Sequence, residues 1–490
     1  MLSRSLCLLS CSAVIRAALA PLCSASADSI CDSTALLSQP RAIAPDCHSF
    51  ATWETGTKDR MHATSSESTS SRAAFRYPNF RYYMSSRFLT TTSSEMQSVA
   101  VGWQIYEITH RPLDLGLVGL AQFLPGILLF LIAGHTADRL PRLRILKACY
   151  LGFSTCSLML LAFALRGPAS PYPIYAALLL NGVVRAFQGP ASQAFLPLLV
   201  PQEHFPNAVA WGASIFQTAT IVGPMLGGFV YGFGGHPGLV YACAAIGYFS
   251  SFIFISSIEI ERQESQSEAA SWAMILGGLE YIWRNKLIFS AISLDLFAVL
   301  LGGAVALLPV YAREILHVGA TGLGLLRSAP GIGAVITAIV VAHWPLKRRA
   351  GIAMLLCVFA FGAFTVVFGI SRNLALSLTM LVLIGAVDMV SVIIRHTLVQ
   401  LGTPDEMRGR VSAVNMVFIG ASNEVGQFES GITAQWFGTV PAVVLGGVGT
   451  IVIVILWNWL FPVLRGVDRL IPEPSIAVSA DKSTGLAESA

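Results

Sequence analysis

The segment GHTADRLPRLR, residues 134–144, is short, charged and contains a proline, and it separates two long apolar spans, 115–133 and 145–165. Each span has about the 20 residues that a helix needs to cross a hydrocarbon core. Two crossings joined by so short a loop run antiparallel. Arg139, Arg142, Arg144 and Lys147 crowd this loop. The excess of basic residues in cytoplasmic loops therefore assigns it to the cytoplasm. That orientation lets every later crossing be counted.

Composition agrees. The 490 residues are 54% hydrophobic and 12% charged, against roughly 25% charged in an ordinary soluble domain. The chain reads as a polytopic membrane protein. Its net charge of +4 comes from basic residues in alternate loops, a topology signal that gives no reason to expect a nucleic-acid partner. Five of the nine Cys lie in the first 47 residues, and the others sit in apolar spans without a CxxC pair. The nine His form no HxxxH set. No metal, cofactor or catalytic set is expected, and no GxxxxGK[ST] loop for ATP is present. The chain does not read as an enzyme.

Residues 1–75 are rich in Ser, Ala and Thr and form an extension. Three readings stand for it: a true start near Met61, a disordered tail, or a targeting peptide with residues 6–15 as its apolar core. FRYPNFRYY, 75–83, is a basic and aromatic membrane entry. About twelve crossings follow, near 84–106, 114–134, 145–166, 172–195, 208–233, 238–257, 287–311, 320–342, 351–370, 374–396, 411–436 and 440–464. Both termini are then cytoplasmic. The organisation expected is a first six-helix bundle at 76–257, a linker at 258–286 with a surface-lying amphipathic helix, a second bundle at 287–468, and a disordered tail at 469–490.

The two halves repeat. GLAQFLPG, 119–126, matches GLLRSAPG, 324–331, at an offset of 205, as do Tyr106 and Tyr311. Gly182 and Gly385, Pro201 and Pro404, Glu203 and Glu406, Gly223 and Gly426, and Gly228 and Gly431 match at an offset of 203. An even number of crossings per half makes this a parallel repeat, with a substrate path between the halves.

Three motifs fall at defined places on this plan. Gly134, Asp138, Arg139 and Arg142 fit the pattern G-x-x-x-D-R-x-G-R-R, with Pro141 in place of its second glycine. Arg185, Gln188 and Gly189 fit R-x-x-Q-G. GPMLGG, 223–228, fits G-P-x-x-G-G. With these the chain resembles the major facilitator superfamily over about residues 77–468. RGRVSAVN and ASNEVGQFESG, within 408–431, resemble the branch of enterobactin exporters and macrolide efflux pumps. The resemblance implies an all-α fold of two six-helix bundles and secondary active transport. It also implies proton-driven export of a small amphipathic molecule. An importer of the same fold, or a membrane sensor that binds without transporting, are the alternatives. The expected setting is the bacterial inner membrane, as a monomer, with a small-molecule substrate, the bilayer and protons as partners.

Each motif also has a physical reading. Asp138 can accept from a neighbouring helix N-terminus, and Arg139 can pair with an acid across the seam between halves, so Gly134, Asp138, Arg139 and Arg142 form a gate latch; a plain topogenic loop is the simpler reading. Gly223, Pro224, Gly227 and Gly228 strip bulk from one helix face and free a backbone carbonyl, for gating or for close packing. Arg185, with Gln188 a turn on, stands in mid-crossing, where a charge costs roughly 2.5–3.5 kcal/mol on insertion scales. At the repeat offset from Arg185 lies Asp388, and the two are expected to pair across the cavity. Glu95, Asp388 and Glu424 are candidate proton carriers, because a carboxyl is tolerated in low dielectric in its neutral form. Asp295 is a further candidate that stands nearer a helix end, where water would solvate it. Arg87, Arg327 and Arg395 lie closer to helix ends, from which they can snorkel; Arg87 or Arg395 as the partner of an acid is the other reading. Phe123, Trp103, Tyr106, Phe187 and Phe297 either line the cavity or face lipid.

Overall fold

The computed structural model describes residues 72–167, 170–259, 272–344 and 349–467. The expected features of residues 1–71, of the linker at 260–271 and of the tail from 468 fall outside these. Residues 66–490 belong to one compact unit, and no strand occurs among the described residues.

The first half runs through α1 (Pro78–Thr109), α2 (Pro112–Leu128), α3 (Phe130–Arg139), α4 (Arg142–Arg166), α5 (Tyr172–Phe195), α6 (Phe205–Gly234) and α7 (Pro237–Ser256). A short helix, α8 (Trp272–Arg284), leads into the second half. That half comprises α9 (Lys286–Leu301), α10 (Gly319–His343), α11 (Ala350–Ile370), α12 (Leu374–Leu401), α13 (Asp405–Phe437) and α14 (Thr439–Leu460). Packing begins before residue 76. The Ala74 amide donates to Asn207 Oδ1 at 3.1 Å and the Phe75 ring meets Trp211 edge-on at 4.9 Å, so the turn at Ala73–Arg76 already belongs to the folded body.

Helices occupy every expected crossing, with two departures. The crossing near 114–134 breaks at Leu129, four residues after Pro125, into α2 and α3. Its charged segment is correspondingly helical up to Arg139, so the turn before α4 is only Leu140 and Pro141. The crossing near 287–311 ends its regular helix at Leu301 and continues through Gly302 and Gly303 into a 3-10 turn, Ala304–Leu307, and a π turn, Tyr311–Ile315. Two glycines and Pro309 account for the break. At Gly303 an added Cβ would lie 2.9 Å from the Gly426 carbonyl, so bare backbone meets bare backbone there.

Eight of the described helical segments are long and apolar enough, by length and composition, to cross a membrane. The four expected crossings that fall short are α1, the broken α2–α3, α5 and α13. They are also the helices that carry Glu95, Arg185 and Glu424.

Helix pairing obeys the repeat. In the first half α1 packs on α6 and α7, α4 on α5 and α7, and α2 on α5. In the second half α9 packs on α13 and α14, α11 on α12 and α14, and α10 on α12. The halves meet along two seams, α2 against α13 and α6 against α10, which the repeat exchanges. The matched glycines do matched work. A Cβ on Gly182 would strike the backbone at Gln122, and one on Gly385 the backbone at Pro330. Gly228 sits on Gly324 across one seam and Gly431 on Gly116 across the other. Without side chains at these points the backbones approach as small-residue packing in membranes requires. Tyr106 and Tyr311 match in sequence only: Tyr106 bonds Glu314, whereas Tyr311 donates to the Gly369 carbonyl at 2.8 Å.

The amphipathic α8 docks on protein. Gly278 rests on the Arg410 backbone, Ile282 is buried, and Tyr281 donates to the Gly402 carbonyl at 3.1 Å, while Trp283 stays exposed. The second half thereby holds its own entry helix against the start of α13.

Alanine at Gly182 or Gly385 is expected to destabilise the protein by about 1–3 kcal/mol through overpacking. Alanine at Gly409, where an added Cβ meets nothing within 4 Å, is not. Thermal unfolding midpoints in detergent check this: equal midpoints for the three variants would refute the packing described.

Candidate functional site

Four charged side chains converge where the halves meet. Arg185 on α5 and Glu424 on α13 approach to 3.9 Å across the seam. Arg327 on α10 lies within electrostatic reach of Glu424 and of Glu95 on α1. Each half thus supplies one acid and one base, and the opposite charges offset the cost of holding each in low dielectric.

Glycine backbones shape this quartet. At Gly223, within GPMLGG, a Cβ would run into the Glu95 side chain and the Thr92 backbone; at Gly227 it would meet the backbone of Met96. Glu95 therefore stands where α6 closes onto α1. Gly119 on α2 does the same for Glu424: a Cβ there would lie 3.0 Å from Glu424 Oε2. Gln427 Nε2 donates to that oxygen at 3.4 Å. The pair is unequal, with the Arg185 side chain 61% exposed and Glu424 only 17%. The acid is held and the guanidinium reaches into open space. Gln188 is half-buried one turn along α5 from Arg185. Phe123 spans the seam, 3.9 Å from a Cβ on Gly420 of α13.

The expected pairing of Arg185 with Asp388 is not made. Arg185 turns to Glu424, and Asp388 lines a small cavity inside the second half together with Asp295. Asp295 is 6% exposed and Arg395 is 3% exposed, and the two form a buried ion pair. Asp295 is therefore not solvated, and Arg395 does not snorkel. Arg327 does not snorkel either; it faces the seam. Arg87 stays near its helix start, 6.0 Å from the Phe216 ring. Sequence reasoning gave Arg327 no part in the site. The available signal was its place inside the repeated octapeptide, where the first half has uncharged Gln122.

The end of the seam away from the 134–144 segment is shut. Tyr106 donates to Glu314, and Tyr231 donates to Glu107 Oε2 at 3.1 Å. Arg313 lies 3.8 Å from Glu107 Oε1 and 5.8 Å over the Trp103 ring. Trp103 and Tyr106 thus belong to this closure. Phe187 packs into the core of the first half, and Phe297 lies against Trp457. Toward the 134–144 end contact between the halves thins, with Gln193 Nε2 reaching Met416 Sδ at 3.7 Å from α5 to α13. Added Cβ atoms on Gly126, Gly189 and Gly409 would meet nothing, and Ile336 and Ile339 on α10 are exposed. In the 134–144 segment itself Arg142 Nη1 donates to the Ala194 carbonyl at 2.8 Å, tying the turn to the end of α5 in its own half. Gly134 is half-buried and Arg139 is exposed; the side chain of Asp138 falls outside the described residues.

Two helical bundles joined by paired seams, tied at one end and holding a charge quartet between them, are the architecture of a transporter of the major facilitator superfamily. Within it, the chain belongs to the family of transmembrane secretion effectors, whose model matches residues 69–486. It is 26% identical over 406 residues to the enterobactin exporter EntS of Citrobacter koseri, covering 81% of this chain and 95% of that protein. It is 27% identical over 346 residues to EntS of Escherichia coli O1:K1, covering 69% and 81%. The fold is similar to that of a bacterial homologue of the human lysosomal transporter Spinster in an inward-facing, unoccupied conformation. That likeness has a TM-score of 0.63 at 13% identity and covers 79% of this chain and 97% of that one. The nucleoside transporter NupG matches at a TM-score of 0.61 and 16% identity, over 78% and 99%.

Arg395→Met leaves the Asp295 charge buried and unpaired, and breaking a buried pair this way costs about 3–5 kcal/mol. Arg408→Met, which breaks a surface pair with Asp405 of 2.6 Å, is expected to cost under about 1 kcal/mol. Comparison of their detergent unfolding midpoints tests this, and similar losses would refute the assignment.

Proposed function

We propose that the chain exports a small amphipathic molecule, siderophore- or drug-like, across a bacterial inner membrane in exchange for protons by alternating access. The observation that carries this reading is the quartet of two acids and two bases, Glu95, Arg185, Arg327 and Glu424, placed between halves that are tied at one end and leave Arg185 exposed. The family assignment and the EntS relatives support export.

In this reading the 134–144 segment faces the cytoplasm and both termini lie on that side. Substrate enters from that side and reaches Arg185, the most exposed member of the quartet. An anionic or hydrogen-bonding substrate competes with Glu424 for the guanidinium. Once Arg185 is engaged, Glu424 loses its partner, and the electrostatic tie between the halves weakens. The rocking that follows opens the end held by Tyr106–Glu314 and Glu107–Arg313. Gly228 on Gly324 and Gly431 on Gly116 give the bare backbones on which the halves turn, and Gly134, Asp138, Arg139 and Arg142 gate the opposite side. A ligand shifts such an equilibrium only by its differential affinity for the two states. In this reading the quartet supplies that difference, because rocking of the halves separates its cross-seam members.

Everted membrane vesicles with an acid interior test the reading. Enterobactin, a macrolide or a lipophilic dye added outside is expected to dissipate the proton gradient, and Glu424→Gln or Arg185→Ala to abolish the response. Dissipation unaffected by either substitution would refute the role of the quartet. A second test uses Glu107→Cys with Arg313→Cys. Oxidative cross-linking of this pair is expected to stop transport and reduction to restore it. Undiminished transport in fully cross-linked protein would exclude the gate.

A further inference from the structure

A second buried polar cluster lies inside the second half, apart from the seam. Asp295 on α9 and Asp388 and Ser391 on α12 line one cavity of about 10 Å³, bounded on the α11 side by Cys357 and Phe361. That is room for about one water molecule. Asp388, Ser391 and Arg395 follow one another at helical spacing on α12, so they share a face. Ser391 is 2% exposed and its Oγ has no hydrogen-bond partner. A buried hydroxyl without a partner is costly and points to a small polar occupant.

The charges show what that occupant brings. Asp295 is matched by Arg395, and Asp388 adds a second carboxylate beside them. Two acids and one base leave one negative charge when all are ionised. The packed neighbours do not cancel it. α11 offers Cys357 and no charged side chain, and α14 offers no titratable group at all. Arg327 on α10 and Glu424 on α13 face the seam quartet. Glu429 on α13 is an acid and accepts from Thr433 Oγ1 at 2.7 Å. His396, next to Arg395, is exposed. One positive charge of minimal size completes the cluster. A hard metal cation takes about six oxygen ligands, and this lining offers two carboxyls and one hydroxyl in an otherwise apolar wall of the volume of one water.

We propose that this cavity is the coupling-proton site of the transporter, with Asp388 as the carrier, leaving the seam quartet to the substrate. This rests on the proton-driven reading above and assigns its ion to a place. A proton passes from hydronium to a carboxylate oxygen of Asp388 and leaves from that oxygen to water on the other side. No electrons move and no other bond changes. Ser391, with a single water, forms the hydrogen-bonded step beside the carboxyl. The Asp295–Arg395 pair ties α9 to α12, so loading Asp388 changes the charge where two packed helices join.

The test starts without substrate. Full-length protein in lipid is titrated with pH and followed by infrared absorption of the protonated carboxyl group. The wild type is expected to show a carbonyl band that appears on acidification. Asp388→Asn is expected to lose that component and Glu424→Gln to keep it. Ser391→Ala, a milder change, is expected to move the pH at which it appears. A band that survives Asp388→Asn, or a midpoint that Ser391→Ala leaves in place, overturns the proposal.

Transport gives the second readout. In proteoliposomes with a gradient of about one pH unit, one coupled proton supports about tenfold enterobactin accumulation. Asp388→Asn is expected to reduce that to none while exchange at equal pH persists. Accumulation retained in Asp388→Asn, or driven equally by a sodium gradient, overturns the assignment. Failure of the wild type to move enterobactin at all would count against the substrate reading, and the infrared experiment would still decide the proton site.

Discussion

A charge within a membrane protein must either meet an opposite charge or face a water-filled cavity. In this chain Arg185 and Arg327 each meet an acid of the other half, and Arg327 lies within reach of Glu424 of its own half as well. Arg185 belongs to the first half and meets Glu424 of the second, while Arg327 belongs to the second and faces Glu95 of the first. The cluster thus joins charges across the seam as well as within a half. In the proposed mechanism the quartet, more than the apolar surface of the seam, makes the state of one half depend on the other. Lipid is as apolar as the helices, so apolar contact between bundles carries little preference over contact with lipid. Charge matching and backbone proximity at glycine supply it instead.

Much of this was legible in the sequence, and the reasons can be stated residue by residue. The offset matches at Gly182 and Gly385, Gly223 and Gly426, and Gly228 and Gly431 correspond to real close contacts, because only glycine allows those approaches and the same approach occurs in each half. Apolar runs of crossing length, separated by charged loops, mark the helical segments. The same logic misled at the charges. The repeat offset joined Arg185 to Asp388, but a repeat conserves position within a half, not partnership between halves. The quartet is asymmetric: the repeat counterpart of Glu424 is Ile221, that of Arg327 is Gln122 and that of Glu95 is Leu300. Symmetry describes the scaffold, and the residues that break it mark the site. The helix breaks at Leu129 and Gly302 were also hidden, since apolar runs continue through both.

Arg395 and Asp295 carry a related lesson. Counted along the helix, each looked close enough to an end for its charge to reach water. In the fold, both are buried among α9, α11 and α12. Distance from a helix end is a poor measure of depth when the helices on either side extend past it. The amphipathic α8 makes the same point from outside. Its pattern reads as a membrane-surface helix, and in the fold Ile282 and Tyr281 dock on α13 and its preceding turn while Leu276 and Trp283 stay exposed.

The four crossings that fail a simple apolar test have a consequence for how the chain is made. α1 leaves the ribosome before α6 and α7, the helices that shelter Glu95 and the rest of its polar face. A helix of that composition has little drive to enter lipid alone. Its stable insertion must wait until later segments have been synthesised and can bury it. α13 stands in the opposite position: when it emerges, α2 and α9 are already present to receive it. The polar face that α1 buries in the finished protein thus leaves its seating dependent on the helices that follow it.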